Sequence, residues 1–159
     1  MRIALGADHA GVKLKNELKD AFDKAFSTGT VKHSYVDFGT DSTASVDYPH
    51  FAQQVAEGVS SGAFERGILV CGSGIGMSIA ANKVTGVRAA LVHDVESARL
   101  CREHNNANVL ALAGRTLASE TADDIVQTFL TTPFAEGRHQ RRIDKITAIE
   151  KNRTDTSGE

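Results

Sequence analysis

The chain contains 159 residues, of which 41% are hydrophobic and 24% are charged, and its formal net charge is −2. These values are typical of a soluble globular domain, and the weakly acidic balance, with two tyrosines and no tryptophan, argues against a nucleic-acid partner. Two cysteines do not make a disulfide framework, and no apolar run approaches the roughly 20 residues that span a bilayer, so we expect a cytoplasmic protein with no membrane partner.

Short apolar segments alternate with helical patterns along the chain. Five segments are predicted as strands: Arg2–Ala7, Ser34–Phe38, Gly67–Val70, Val87–Val92 and Asn108–Ala113. Because these strands are apolar and separated by helices, they indicate a parallel sheet that is covered on both faces. The sequence therefore predicts an α/β fold, a three-layer α/β/α sandwich with a five-stranded parallel, Rossmann-like sheet. An extra C-terminal helix is predicted over Arg138–Lys151, with residues 1–150 forming a single domain and 151–159 a short polar tail.

A glycine-rich loop, CGSGIG at Cys71–Gly76, follows the third predicted strand. In open α/β sheets, ligands bind beyond the carboxyl ends of the strands. Glycines allow successive backbone N–H groups to converge, so the loop suits an anion, either a phosphate or an oxyanion. A thiol at that place should ionise readily and act as a base or a nucleophile. The alternative is that Cys71 is a small apolar residue at the end of a buried strand.

The same loop invites a comparison with dinucleotide-binding sites. Gly72, Gly74 and Gly76 form a G-x-G-x-G pattern, but the third glycine comes one position too early for the dinucleotide fingerprint. The loop also follows the third strand, whereas the fingerprint normally follows the first. A non-catalytic module that binds a nucleotide or a sugar phosphate is therefore the alternative to an enzyme.

Several basic residues indicate a phosphorylated small molecule as the partner. His9 follows Asp8 after the first strand, and Arg115 follows the fifth. Arg138 and Arg142 are four positions apart on the last predicted helix, so their guanidinium groups can converge on one anion. The alternative for this helix is a solvated basic face.

A nucleophilic cysteine would need a histidine that is oriented by an Asn or Asp. His104 with Asn105 and Asn106 offers that arrangement, although His104 could equally be a charge at a helix C-terminus and Asn105 a left-handed helix cap. The residues thus leave base and nucleophile both open. Cys101 lies within a helical pattern and is expected to be structural. No metal-binding motif is present, so no metal site is expected.

Six separated motifs occur in order between Arg2 and Ile149: ADHAG, VDYP, CGSGIGMSIAANK, GVRAAL, HNNANVLALAGRT and RHQRRIDKI. Together they resemble the type B ribose-5-phosphate isomerases of the ribose/galactose isomerase family. The resemblance implies an aldose–ketose isomerase that interconverts ribose 5-phosphate and ribulose 5-phosphate through a cis-enediolate, without metal or cofactor. Cys71 and Met77 match the cysteine branch of the family, since the other branch has glycine and glutamate there. Six-carbon substrates such as allose 6-phosphate or galactose 6-phosphate are the alternative, because relatives that act on them share much of the pattern.

The resemblance also implies a role for each matched residue. Cys71 would be the general base, and His104 would assist opening of the furanose ring. The enediolate would be held by the backbone amides of Gly72, Ser73, Gly74, Ile75 and Gly76, with Ser73 adding a hydroxyl. Sugar hydroxyls would contact Asp8, Tyr48 and Asn105, and the phosphate would contact His9, Arg115, Arg138, Arg142 and His139. The family pattern further implies a homodimer, or a tetramer, whose active sites lie at the subunit interface and use the C-terminal arginines of the partner.

Overall fold

A computed structural model describes residues 1–29 and 33–155 of the chain. Within these residues, the strands are β1 (Arg2–Ala7), β2 (Ser34–Asp37), β3 (Arg66–Cys71), β4 (Ala89–Leu91) and β5 (Val109–Ala113). The helices are α1 (Val12–Ser27), α2 (Tyr48–Ser60), α3 (Ile75–Ala81), α4 (Val95–Asn105), α5 (Ser119–Thr131) and α6 (Arg138–Asp155). The strands form one parallel sheet in the order β2-β1-β3-β5-β4. The predicted α/β fold is thus confirmed.

The two faces of the sheet carry separate hydrophobic cores. Side chains of a strand alternate between faces, so Ile68 and Val70 pack with α1, α4 and α5, whereas Leu69 and Cys71 pack with α2 and α3. β1, β3 and β5 are almost completely buried because helices cover them on both sides. Cys71, the last residue of the central strand β3, therefore lies at the edge of the buried core.

Among the predicted elements, β4 and α6 differ from the structure by more than one residue at an end, and three other strands differ by one residue. β4 is shorter than predicted because it lies at the sheet edge, and the Arg88 N–H donates to Asn108 Oδ1 (2.8 Å) before the strand begins. α6 continues past the predicted Lys151 to Asp155, and residues 156–159 of the predicted tail lie outside the described residues. In the described part of the chain, no helix is long and apolar enough to cross a membrane.

The order of the strands places a crevice between β1 and β3. The chain passes from β1 to β2 on one side and later returns to β3 on the other, so the loops after β1 and β3 diverge. Such a reversal of strand order leaves a ligand-sized opening at the carboxyl ends of the strands.

Candidate active site

An open cleft of about 550 Å3 lies at the carboxyl ends of β1, β3 and β5. The predicted site residues that line it are Asp8, His9, Tyr48, Cys71, Gly72, Ser73, Ile75, Gly76 and Arg115. His93 and Thr116 also line the cleft and were not assigned a binding role from the sequence. The sequence indicates their place only through their position, since His93 and Thr116 follow the ends of the fourth and fifth predicted strands, where ligands bind in such folds.

The sulfur of Cys71 sits at the turn from β3 into α3. Cys71 is 5% exposed, and the Gly74 N–H donates a hydrogen bond to its Sγ at 3.1 Å. Gly74 has φ +75°, and a Cβ there would lie 2.5 Å from Leu91 Cδ1. Only glycine therefore fits, and its conformation turns a backbone donor toward the sulfur. Met77, which is 0% exposed, packs in the core below the loop.

The other two glycines of the loop make room for side chains that line the cleft. Gly72 leaves room for the guanidinium group of Arg115, whose atoms would lie 3.3 Å from an added Cβ. Gly76 belongs to the first turn of α3, and an added Cβ would lie 2.5 Å from Tyr48 Cζ. Gly76 thus admits the ring of Tyr48 to the cleft, a contact that the spacing of the glycines does not reveal.

The loop amides are not all available to a ligand. The Ile75 N–H donates to Ser73 Oγ at 3.3 Å, and the Gly74 N–H is used by the Cys71 sulfur. Two of the five loop amides that were predicted to face an anion therefore donate within the loop.

Asp8 and His9 are held by neighbouring backbone groups. Asp8 Oδ1 accepts hydrogen bonds from the N–H groups of Ala10 (2.9 Å) and Gly11 (3.0 Å), which shapes the turn into α1. His9 Nδ1 accepts a hydrogen bond from the Val46 N–H at 3.2 Å. The Asp8 carboxylate thus caps the turn while Asp8 also lines the cleft.

The other five predicted residues, His104, Asn105, Arg138, His139 and Arg142, form a second group on α4 and α6. The rings of His104 and His139 stack with their centroids 4.3 Å apart and their planes at 11°. Loss of hydration lowers the pKa of His139, and the neighbouring His104, Arg138 and Arg142 lower it further. We call this group the cationic cluster.

The cationic cluster lies at the opposite end of the sheet from Cys71. α4 connects two parallel neighbours, so it runs back against the strands and ends before β5 begins. Cys71 pairs with Ala113 at the end of β5, whereas Asn105 precedes the start of β5 at Val109. The four steps from Val109 to Ala113 rise ~13 Å, so His104 and Cys71 lie about the length of β5 apart along the sheet.

Two arginines that were not predicted hold the turn after His104. Arg88 donates to the carbonyl oxygens of Asn105 (3.0 Å) and Asn106 (3.0 Å), and Arg102 donates to Asn106 Oδ1 (2.8 Å). The left-handed residue is Asn106, with φ +45°, so the alternative prediction that Asn105 is the left-handed cap was wrong. Asn105 instead ends the helix and lines an open groove of about 580 Å3 beside α6.

The fold and the cleft together define an α/β protein with a thiol beside a backbone donor and an arginine at its strand ends, an arrangement suited to an enzyme that acts on an anion. Among the described residues, no group of three or more His, Cys, Asp or Glu side chains could hold a metal ion.

Comparisons with known proteins identify the family. The model of the ribose/galactose isomerase family matches residues 3–146. Ribose-5-phosphate isomerase B of Escherichia coli is 44% identical over 152 residues, covering 96% of this chain and 98% of the relative. The solved ribose-5-phosphate isomerase B of Clostridium thermocellum superposes with a TM-score of 0.90 at 48% identity, covering 96% of this chain and 99% of that one. The enzyme of Mycoplasma genitalium, solved with bound ribulose 5-phosphate, gives a TM-score of 0.84 at 43% identity, covering 94% and 96%.

The chain therefore belongs to the ribose/galactose isomerase family. The family predicted from the six sequence motifs is confirmed, and with it the assignment to the isomerases.

Proposed function

We propose that this protein interconverts ribose 5-phosphate and ribulose 5-phosphate in the cleft, with Cys71 as the general base. The observation that carries the proposal is the position of Cys71, which lines the cleft and whose Sγ accepts a hydrogen bond from the Gly74 N–H at 3.1 Å. The names of its relatives support the substrate, since the Escherichia coli relative is a ribose-5-phosphate isomerase and the Mycoplasma genitalium structure contains ribulose 5-phosphate.

The reaction moves one proton between neighbouring carbons. The Cys71 sulfur takes the proton from C2 of the opened aldose and returns it to C1, while the hydroxyl proton of O2 is transferred to O1, so that the carbonyl group moves from C1 to C2. Positioned proton transfer contributes on the order of 10²–10⁴-fold to such a step. The enediolate between the two transfers carries negative charge, to which we assign the N–H groups of Gly72, Ser73 and Gly76 as donors.

Basic side chains beside the cleft would hold the end of the sugar that does not react. Arg115 and His9 would bind the phosphate from the same chain, while Asp8 and Tyr48 would bind hydroxyl groups. Binding energy from the phosphate fixes the reacting carbons beside the sulfur in both steps, which raises the rate of the chemical step.

The cationic cluster is proposed to serve the cleft of a second copy of the chain. In a symmetric homodimer, or a tetramer built from such dimers, each copy can present His104, Asn105, Arg138 and Arg142 to the cleft of the other. His104 would then assist ring opening, Asn105 would hold a hydroxyl and the arginines would close over the phosphate. His139 is only 7% exposed and stacked on His104, a position from which it orients that ring. The cytoplasmic location stays a prediction.

Incubation with ribose 5-phosphate in D2O, without added metal, tests the reaction. We expect ribulose 5-phosphate to form and solvent deuterium to enter the sugar at C1 or C2, as followed by NMR. Allose 6-phosphate under the same conditions serves as the six-carbon comparison. Tight binding of ribose 5-phosphate without any exchange would instead support a non-catalytic binding module.

Mixing two inactive variants tests whether sites are shared. Cys71→Ala subunits keep the cationic cluster, and Arg138→Ala/Arg142→Ala subunits keep the cleft, so a mixed dimer contains one intact site. Random pairing of equal amounts makes half the dimers mixed, and we expect about a quarter of the wild-type activity at low substrate concentration.

The two variants, treated identically but not mixed, are the controls. Mixed dimers verified by mass that are no more active than the mean of the two parents would show that each chain works alone.

A further inference from the structure

Lys15 is a fully buried cation that the proposed chemistry does not use. Its side chain, on α1, is 0% exposed, and its Nζ donates to the Thr40 carbonyl oxygen at 2.8 Å and to Asp41 Oδ1 at 2.9 Å. It also pairs with Asp37 Oδ2 at 2.9 Å. Withdrawing an ammonium group from water is costly, and apolar side chains hold a core equally well. Core stability therefore does not explain why a lysine is buried here, and we look instead to the groups that its ammonium contacts: the Thr40 carbonyl oxygen and the carboxylates of Asp37 and Asp41.

Lys15 holds the first part of the irregular segment 38–47, which we call the β2–α2 loop. The Thr40 N–H also donates to the Ala7 carbonyl oxygen at 3.0 Å, at the end of β1. Gly39 lies so close to this strand end that an added Cβ would be 2.5 Å from the Ala7 nitrogen. The loop is thus fixed between α1 and the strand that carries Asp8 and His9.

The far end of the β2–α2 loop reaches the cleft. The Val46 N–H donates to His9 Nδ1 at 3.2 Å. A backbone N–H can only donate, so Nδ1 is the acceptor and the ring proton of His9 is on Nε2. The next residues, Asp47 and Tyr48, begin α2, and Tyr48 lines the cleft against Gly76.

Between these two ends, the loop is exposed and makes short local bonds. The Ser42 N–H donates to Thr40 Oγ1 at 3.1 Å, and the Ala44 N–H donates to Ser42 Oγ at 3.0 Å. The Lys15 ammonium group is therefore a side-chain contact by which buried structure holds the loop near Thr40 and Asp41, in addition to the backbone bond from Thr40 to Ala7.

We propose that Lys15 is a positioning residue for the cleft. By holding Thr40 and Asp41, it places Val46 so that His9 keeps a single N–H donor, on Nε2, for the substrate phosphate. The part of this proposal that concerns the phosphate rests on the proposed function, whereas the effect on the His9 tautomer does not.

Lys15→Met tests the proposal, because methionine preserves the apolar length of the side chain and removes the charge. Asp37 keeps a hydrogen bond to Lys19 Nζ at 2.8 Å, and Asp41 is 81% exposed, so neither carboxylate is left buried and unpaired. We expect the KM for ribose 5-phosphate to rise roughly tenfold, the effect of weakening one hydrogen bond, with a smaller change in kcat. We also expect the ¹⁵N signals of the His9 ring to change from one tautomer to a mixture of two.

Lys19→Met is the matched control. Lys19 lies one turn further along α1 and donates to the same Asp37 oxygen, and its charge pairs with Asp37 rather than with the loop. This variant should keep both the wild-type KM and the single His9 tautomer. An equal change in both variants would assign the effect to the charge of Asp37 and overturn the proposal.

Asp41→Ala is a second test of the proposal, and because Asp41 is exposed, this substitution does not disturb the core. It removes one exposed anchor of the β2–α2 loop, and we expect the same changes in KM and in the His9 signals at a smaller size. Unchanged His9 signals in folded Lys15→Met, or in Asp41→Ala if Lys15→Met does not fold, would refute the proposal. The His9 signals are recorded without substrate, so a wild-type protein that lacks isomerase activity would refute the proposed function and still allow this comparison.

Discussion

Replacing Cys71 by alanine is expected to lower kcat by on the order of 10³-fold or more, because the variant lacks the group that moves the proton. The fold should persist, since alanine fills most of the space of a cysteine that packs between α2 and α3. Binding of ribose 5-phosphate should also persist, because His9 and Arg115 are unchanged. Exchange of deuterium by NMR, together with calorimetric titration of the sugar phosphate, separates loss of chemistry from loss of binding.

Cys101→Ala is the matched control for that experiment. Cys101 lies inside α4, its Sγ donates to the Ala98 carbonyl oxygen at 3.2 Å, and burial raises the pKa of its thiol to about 11. It is therefore a protonated, structural side chain at neutral pH, and its loss should cost about 1 kcal/mol of stability while turnover is unchanged. Wild-type turnover by Cys71→Ala would remove Cys71 from the mechanism.

Gly74→Ala is expected to lower kcat by about 10²–10³-fold, because the Cys71 thiolate loses its backbone donor and the loop that carries the proposed enediolate donors is displaced. The new Cβ would lie 2.5 Å from Leu91 Cδ1 and 3.0 Å from the Leu112 carbonyl carbon, so the loop has to move. That movement takes the N–H away from the Cys71 sulfur. The left-handed backbone adds about 1–2 kcal/mol of strain, which lowers the melting temperature.

Gly62→Ala separates the strain from the loss of the donor. Gly62 has φ +77°, and an added Cβ would meet nothing within 4 Å, in the turn between α2 and β3. It should therefore lose stability from the same backbone strain and keep its kcat. Equal kcat values for the two variants, measured beside thermal unfolding, would show that the Gly74 N–H has no part in catalysis.

Most strands and helices of the fold could be predicted, because the pattern of apolar residues within each short segment indicates its secondary structure. Continuous apolar segments such as Arg2–Ala7 and Asn108–Ala113 indicate buried parallel strands, and the carboxyl ends of such strands meet at one edge. That rule was sufficient to place Cys71, His9 and Arg115 near one another. The edge strand β4 was predicted too long because exposure, which the sequence does not show directly, limits its pairing.

The rest of the site depends on contacts between distant parts of the chain. Gly76 is followed by a helix in the sequence, and nothing there shows that the ring of Tyr48 lies against it. His104 and His139 are stacked because the last turn of α4 lies beside the first turn of α6 in the fold. The spacing of residues along the sequence does not show that these two turns meet. The bond from Val46 to His9 likewise joins an exposed loop to a strand end, and it became visible only with the fold.

The separation of Cys71 from the cationic cluster has a consequence for heredity. If each working site draws on two chains, a cell that makes two defective forms, one damaged at the glycine loop and one at α6, would still assemble some functional enzyme. Mutant alleles at opposite ends of the sheet would then complement each other, whereas two alleles damaged at the same end would not.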